Sequence, residues 1–133
     1  MAWLLDTNTC IYIIKQKPIA VLKKFSDIPP GQIALSAITV AELEYGARKS
    51  ATIEKNLAAL QQFFIPFDIL PFNYSATMEY GIIRAELEAK GTPIGPLDTL
   101  IAAHAKSLNY ILVTNNEKEF NRVIGLQVEN WVK

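Results

Sequence analysis

An α/β fold, with a central parallel sheet of four to five strands flanked by helices, is the architecture this sequence predicts. Three observations carry it. Short apolar runs alternate with stretches of helical periodicity along all 133 residues. The apolar runs are near-continuous, as they are in parallel strands covered on both faces. The first run, Met1-Ala2-Trp3-Leu4-Leu5, stops abruptly at Asp6 and a helical pattern follows.

Each element has a local reason. Residues 2–5 read as the first strand. Residues 8–15 and 18–25 read as short helices parted by Lys17-Pro18, and Pro29-Pro30-Gly31 reads as a loop. Ile33-Ala34-Leu35-Ser36 is the second strand, followed by a helix over 38–48 and another over 52–64, which Pro66 ends. Asp68-Ile69-Leu70 is a short third strand. Met78, Ile82, Ile83 and Leu87 recur at helical spacing within 74–90, and Lys90-Gly91 marks that helix's end. The loop Gly91-Thr92-Pro93-Ile94-Gly95-Pro96 leads into a helix over 97–108, ended by Asn109. Tyr110-Ile111-Leu112-Val113 is the fourth strand, 117–121 a short helix, and 126–128 a candidate fifth strand. There is no internal repeat or low-complexity tract, so residues 1–133 read as a single domain.

Composition narrows the class. Half the residues are hydrophobic and a fifth charged, which describes a globular chain. The lone cysteine, Cys10, has no disulfide partner within the chain and suits a reducing compartment. It reads as a small packed residue rather than a nucleophile. No basic segment precedes the first apolar run, and no run is long enough to span a membrane, so a cytoplasmic protein is expected. The net charge is zero, which gives no global pull on nucleic acid. Its distribution is uneven: residues 1–55 carry +2 and residues 56–133 carry −2. Lys15 and Lys17 lie early, and Arg48 and Lys49 end the 38–48 helix; these read as a solvated face or as contacts to an RNA backbone.

The chemistry is carried by acids. Asp6 lies where a strand ends and a helix begins, the edge at which open α/β sheets bind ligands. Glu42 and Asp98 are expected at comparable strand-exit or helix-start positions, and the fourth strand exits at Thr114-Asn115-Asn116. Each acid also has a structural explanation. Asp6 can cap a helix. Thr39-Val40-Ala41-Glu42 matches a capping box. Asp98 suits the first turn of a helix after Pro96. Together, clustered carboxylates repel one another unless a hard divalent cation joins them, and Asn8, Thr114 and Asn116 add further oxygens.

Other chemistries fit poorly. The one histidine, His104, lies about 120° around its helix from Asp98, and reads as structural or solvent-facing rather than as half of an acid–base pair. No phosphate-cradling glycine loop or nucleophile elbow is present.

Four segments, Leu4-Leu5-Asp6-Thr7-Asn8, Thr39-Val40-Ala41-Glu42-Leu43-Glu44-Tyr45-Gly46, Pro93-Ile94-Gly95-Pro96-Leu97-Asp98 and Val113-Thr114-Asn115-Asn116-Glu117-Lys118-Glu119-Phe120, resemble the signature segments of PIN-domain nucleases. In order and spacing they look most like the VapC toxins of bacterial type II toxin–antitoxin modules, over essentially the whole chain. The resemblance implies a Rossmann-like three-layer sandwich and an Mg²⁺- or Mn²⁺-dependent endoribonuclease that cuts structured cellular RNA, tRNA being a common target. It also implies a homodimer and a small cognate VapB-type antitoxin. On it, Asp6 and Asp98 ligate the metal, and Glu42 helps hold it or orients a water. Thr7, Asn8, Thr114 and Asn115 orient the carboxylates. The fourth acidic position, often Asp, is Asn116 here; Glu119, three residues on, either faces the site and partly compensates or is solvated surface.

Two alternatives remain at this level: a nuclease of the same fold acting on DNA or in RNA maturation, and a non-catalytic nucleic-acid-binding module. Intact Asp6, Glu42 and Asp98 argue against the second. Metal-dependent RNA cleavage separates it from the enzymes, and a neighbouring small antitoxin gene separates a toxin from a maturation nuclease.

Overall fold

Leu4 and Leu5 are adjacent in the sequence and both fully buried. A strand permits this only where apolar layers cover both of its faces. In the computed structural model, which describes residues 1–133, that strand is β1 (Trp3–Leu5), the centre of a five-stranded parallel sheet. The others are β2 (Ile33–Ser36), β3 (Asp68–Leu70), β4 (Ile111–Val113) and β5 (Val128–Glu129), in spatial order β3-β2-β1-β4-β5. The helices are α1 (Thr7–Lys15), α2 (Ile19–Asp27), α3 (Ala37–Arg48), α4 (Ile53–Phe64), α5 (Tyr74–Ala89), α6 (Pro96–Leu108) and α7 (Glu117–Phe120).

Alternate strand residues serve two cores. Leu5, Ile33, Leu35 and Val113 face α1–α4, where Cys10, Ile13, Val21, Leu43, Leu60 and Trp131 complete one apolar cluster. Leu4, Ala34 and Leu112 face the other way, toward Ile83, Leu87, Ile101 and Phe120. On that side Ala102, Ala103 and Ala105 are all buried, so small side chains let α6 approach the sheet closely. The three-layer arrangement expected from the sequence is therefore present. The indole N–H groups of Trp3 and Trp131 both donate to Glu129 Oε1, at 3.2 and 2.9 Å. No helix is long and apolar enough to cross a membrane.

The strand order places the chemistry. Connections from β1 run through β2 to β3 on one side, while β4 and β5 lie on the other. The order reverses between β1 and β4, where neighbouring connections leave a crevice at the carboxyl ends of the strands. Asp6 leaves β1 there and Thr114 leaves β4 there; the Asp6 N–H donates to the Val113 carbonyl at 3.0 Å.

Two local expectations are corrected. α3 starts at Ala37 with Ser36 as its cap, whose Oγ accepts from the Ile38 N–H at 3.0 Å. Thr39 is thus inside the helix and no Thr39–Glu42 capping box forms. The sequence offers two hydroxyls three residues apart, and Ser36 captures the cap because β2 ends on it. β5 begins at Val128 rather than 126, since Gly125 turns at φ +82° and the Leu126 N–H still closes the turn onto Val123.

Candidate active site

Asp6 is 5% exposed and caps α1, with Oδ1 accepting from the Thr9 N–H at 2.8 Å. It is both the helix cap and a site residue. Burial pushes its carboxyl above the usual range; hydrogen bonds from the Thr114 side chain and from the Thr9 backbone oppose that rise. The Thr9 hydroxyl also reaches the Val113 carbonyl at 3.2 Å, tying α1 to β4. Thr9 was not singled out from the sequence; the Asp-x-x-Thr spacing of a side-chain cap was the available signal.

Glu42 lies in the second turn of α3, not at a strand exit. Its position on that helix brings it to the start of α1, where the Thr7 hydroxyl donates to Glu42 Oε1 at 2.8 Å. Asp98 occupies the first turn of α6, behind Gly95 and Pro96, with Oδ2 3.6 Å from where a Gly95 Cβ would stand. Its pKa is raised to about 6. Burial is the largest cause, followed by the charges of Glu119, Glu42 and Asp6 and a hydrogen bond with Glu119. Asp98 on α6 therefore feels three other acids at the crevice: Glu119 on α7, Glu42 on α3 and Asp6, the cap of α1. Of the two readings of Glu119, its charge and hydrogen bond on Asp98 place it beside that carboxyl.

The supporting residues divide. Thr7 and Thr114 orient carboxylates as expected. The fully buried Thr114 hydroxyl also accepts from the Asn116 N–H at 3.0 Å. Asn115 does not orient a carboxylate: its Nδ2 donates to the Tyr12 hydroxyl at 2.7 Å, on the outer side of α1. Asn8 is exposed and makes no hydrogen bond through its side chain. Asn116 precedes α7, and its side chain caps nothing. Cys10 is fully buried; burial and the Asp6 charge push its thiol well up, which fits a packed residue and not a nucleophile. His104 is buried 1% exposed on α6, so its structural reading holds and its solvent-facing alternative does not.

The basic residues also divide. Exposed Lys15 lines a hollow of about 280 Å³ that starts at Thr7 and Glu42 and runs between α1, α3 and α4. Lys17 lines a neighbouring hollow with Tyr12 and Pro18. Arg48 pairs with Glu44 at 3.7 Å, and Lys49 sits 5.0 Å over the Tyr45 ring, both on the far end of α3.

The donor set suits a hard divalent cation. Every side-chain donor is oxygen. The ion pairs of the molecule are Arg48–Glu44, Arg84–Glu88, Lys106–Glu79 and Lys133–Glu117, so no Lys or Arg neutralises Asp6, Glu42, Asp98 or Glu119. One turn before Glu42, the fully buried Thr39 hydroxyl has no hydrogen-bond partner. No three acids close into a ready-made cage. Mg²⁺ keeps several waters and takes only one or two carboxylates directly.

The chain is similar to known proteins over nearly its whole length. The PIN domain family model matches residues 3–126. The chain is 45% identical over 131 residues to the tRNA(fMet)-specific endonuclease VapC of Shigella flexneri, covering 98% of both. It is 46% identical over 132 residues to ribonuclease VapC2 of Haemophilus influenzae, covering 99% of both. Among solved structures, VapBC2 from Rickettsia felis, bound to a DNA fragment from the promoter, contains a chain with TM-score 0.93 and 42% identity; the match covers 98% of this chain and 99% of that one. DNA-bound VapBC from Salmonella typhimurium gives TM-score 0.93 at 44% identity, with 98% of each chain covered.

Proposed function

Since the chain belongs to the PIN domain family, we propose that it is a divalent-metal-dependent endoribonuclease toxin that cuts structured cellular RNA, tRNA foremost, and is neutralised by a small cognate antitoxin. The observation that carries the reading is that Asp98 lies within electrostatic reach of Glu119, Glu42 and Asp6 at the sheet's switch point, with no Lys or Arg paired to any of the four. The relatives named as endonuclease or ribonuclease, and the solved complexes named VapBC, support the substrate class and the antitoxin partner.

Mg²⁺ is the proposed ion, with Mn²⁺ a competent substitute. Asp6 and Asp98 would hold it directly, Glu42 and Glu119 would complete the charge around it, and Asn116 would lie at the rim. When bound, such an ion activates water and stabilises charge on a scissile phosphate. The protein's own groups do the rest. Thr9 and Thr114 fix the Asp6 carboxylate, and Thr7 fixes Glu42, so the acids do not turn away from one another. Lys15, at the mouth of the hollow that begins at Glu42, meets the RNA backbone. In-line attack by water leaves a 5′-phosphate and a 3′-hydroxyl.

The protein acts as a homodimer. Tyr74, Met78 and Ile82, one turn apart along α5, are 79%, 54% and 47% exposed, a stripe that a second copy would cover.

The test is direct. Purified protein and end-labelled total tRNA are incubated with Mg²⁺, with Mn²⁺ and with chelator, beside the same sequences as DNA. Metal-dependent cuts in RNA with 5′-phosphate ends are expected. Equal cutting in chelator would overturn the metal site, and cutting of DNA alone would overturn the substrate class.

A further inference from the structure

The imidazole of His104 lies where three elements meet. It stands on α6, and its Nδ1 is 2.7 Å from the hydroxyl of Ser36, the last residue of β2 and the cap of α3. Its ring also hydrogen-bonds the backbone of Pro71, between β3 and α5. Proline has no N–H, so its carbonyl accepts and the imidazole donates. Phe72 sets its ring edge-on to the imidazole at 5.3 Å and 75°.

These contacts fix the tautomer. Burial pushes the imidazole below its usual range, so it is neutral and carries one N–H. That N–H goes to Pro71, which leaves Nδ1 as an acceptor. The Ser36 hydroxyl must then donate to Nδ1 while accepting from the Ile38 N–H at 3.0 Å. The chain of bonds is fully used, with each proton assigned and no group left over. Both His104 and Ser36 are essentially without solvent contact, at 1% and 0% exposure, so losing either bond strands a buried polar atom.

The arrangement matters because of what these two elements carry. Asp98 stands six residues before His104 on α6, and Glu42 six residues after Ser36 on α3. No other side-chain hydrogen bond joins α6 to the β2–α3 junction; Thr99 and Ser107 bond back to their own helix, and Lys106 reaches α5. The rest of the α6 face against the sheet is Ile101, Ala102, Ala103 and Ala105, which pack closely but have no directional bond to set a register.

We propose that His104 is a positioning residue: its bond to Ser36 holds α6 and α3 at the separation that sets Asp98 and Glu42 around the divalent ion. The inference rests on the metal-dependent reading of the site. Apolar packing of α6 leaves that separation without any other directional bond, whereas a metal site loses affinity when its ligands drift by tenths of an ångström.

The experiment compares wild type, His104→Phe, His104→Asn and Ile101→Val. Phe keeps a ring of similar size and loses both bonds. Asn places an amide oxygen near the Nδ1 position, where it can accept from Ser36. Ile101→Val removes core volume from the same helix without touching the junction. Calorimetric titration with Mn²⁺ alone, and kcat and KM on tRNA, are measured for each. For His104→Phe, Mn²⁺ binding about 10-fold weaker is expected, with kcat down at least about 10-fold and KM within about 2-fold. His104→Asn is expected to recover most of both losses, and Ile101→Val to lower the melting temperature only. If His104→Phe does not fold, Ser36→Gly removes the same bond while keeping a tolerated helix cap, and is read the same way. A His104→Phe or Ser36→Gly protein with wild-type Mn²⁺ affinity and kcat would overturn the inference, as would an Asn variant no better than Phe. A wild-type protein that binds no Mn²⁺ would instead remove the metal-site reading, and this inference with it.

Discussion

Asp98 on α6 and Glu119 on α7 share a hydrogen bond, and two carboxyl groups can do so only while one of them carries a proton. The pair forms where the first turn of α6 meets the short α7. Burial first, then the neighbouring charges and this bond, hold the Asp98 pKa near 6, well above the ordinary carboxylate range. Below about pH 6 the metal-free crevice therefore holds a proton on Asp98, with which a divalent cation would compete.

The first expected outcome is a pH-dependent stability. Asp98 has its folded pKa raised to about 6 from 3.8, so its contribution is full below the unfolded value and lost as pH rises through the folded one. Between pH 4 and pH 7.5, metal-free wild type should lose melting temperature relative to Asp98→Asn. Because the group is partly exposed, solvent screening limits the change to about 1 kcal/mol, a few degrees for a domain of this size. Differential scanning calorimetry of both proteins in chelator checks it, and a constant difference across that range would count against the shared proton. Mn²⁺ affinity should rise over the same range.

Charge removal at the ligands should separate activity from folding. Asp6→Asn and Asp98→Asn are each expected to lower RNA cleavage at least about 100-fold, more than the loss of an outer-shell partner costs. The melting temperature should rise or stay within about 2 °C, since Asn remains a good cap at position 6 and repulsion is relieved at position 98. Cleavage assays and thermal melts on the same preparations decide it. An Asp6→Asn enzyme at wild-type rate would remove Asp6 from the site.

The fourth acidic position invites a pair of substitutions. Glu119→Gln removes the strongest charge acting on Asp98, so the Asp98 pKa should fall toward its ordinary range. Cleavage should fall less than in Asp98→Asn, by about 10-fold. Asn116→Asp adds a hard ligand at the rim and is expected to tighten Mg²⁺ binding several-fold. Calorimetric titration of both variants reads this; an isotherm for Asn116→Asp identical to wild type would place residue 116 outside the coordination sphere.

RNA contact should follow the hollows rather than the total charge. Lys15→Glu and Lys17→Glu are expected to weaken RNA binding and lower the salt slope by about one per side chain, with the cleavage site unchanged. Arg48→Glu and Lys49→Glu should do less, because Arg48 is paired with Glu44 and Lys49 lies over Tyr45. Filter binding across a salt series measures both, and equal slopes for the two pairs would return all four to plain surface.

Much of the site is legible in the order of residues because its signals are local. Asp6 follows an apolar run and precedes a helix, and Pro96 and Asp98 mark a helix's first turn, so both positions follow from capping and dipole chemistry within a few residues. The same holds for Glu119, one helical turn past Asn116. Glu42 was placed in the right element but at the wrong point, because the helix start depended on which of Ser36 and Thr39 took the cap.

The sequence by itself determined the alternation of strands and helices, the parallel sheet with two cores, and the acids that line its edge. Those follow from apolar runs, breakers and caps, whose energetics are set by neighbours in the chain. The tertiary structure alone decided the strand order β3-β2-β1-β4-β5, which brings Asp6 beside Thr114. It also decided that Asn115 bonds Tyr12 rather than a carboxylate, and that His104 joins Ser36 across 68 residues. A hydrogen bond selects among nearby polar groups by tenths of an ångström and by direction, and those are properties of packed elements that no local pattern encodes.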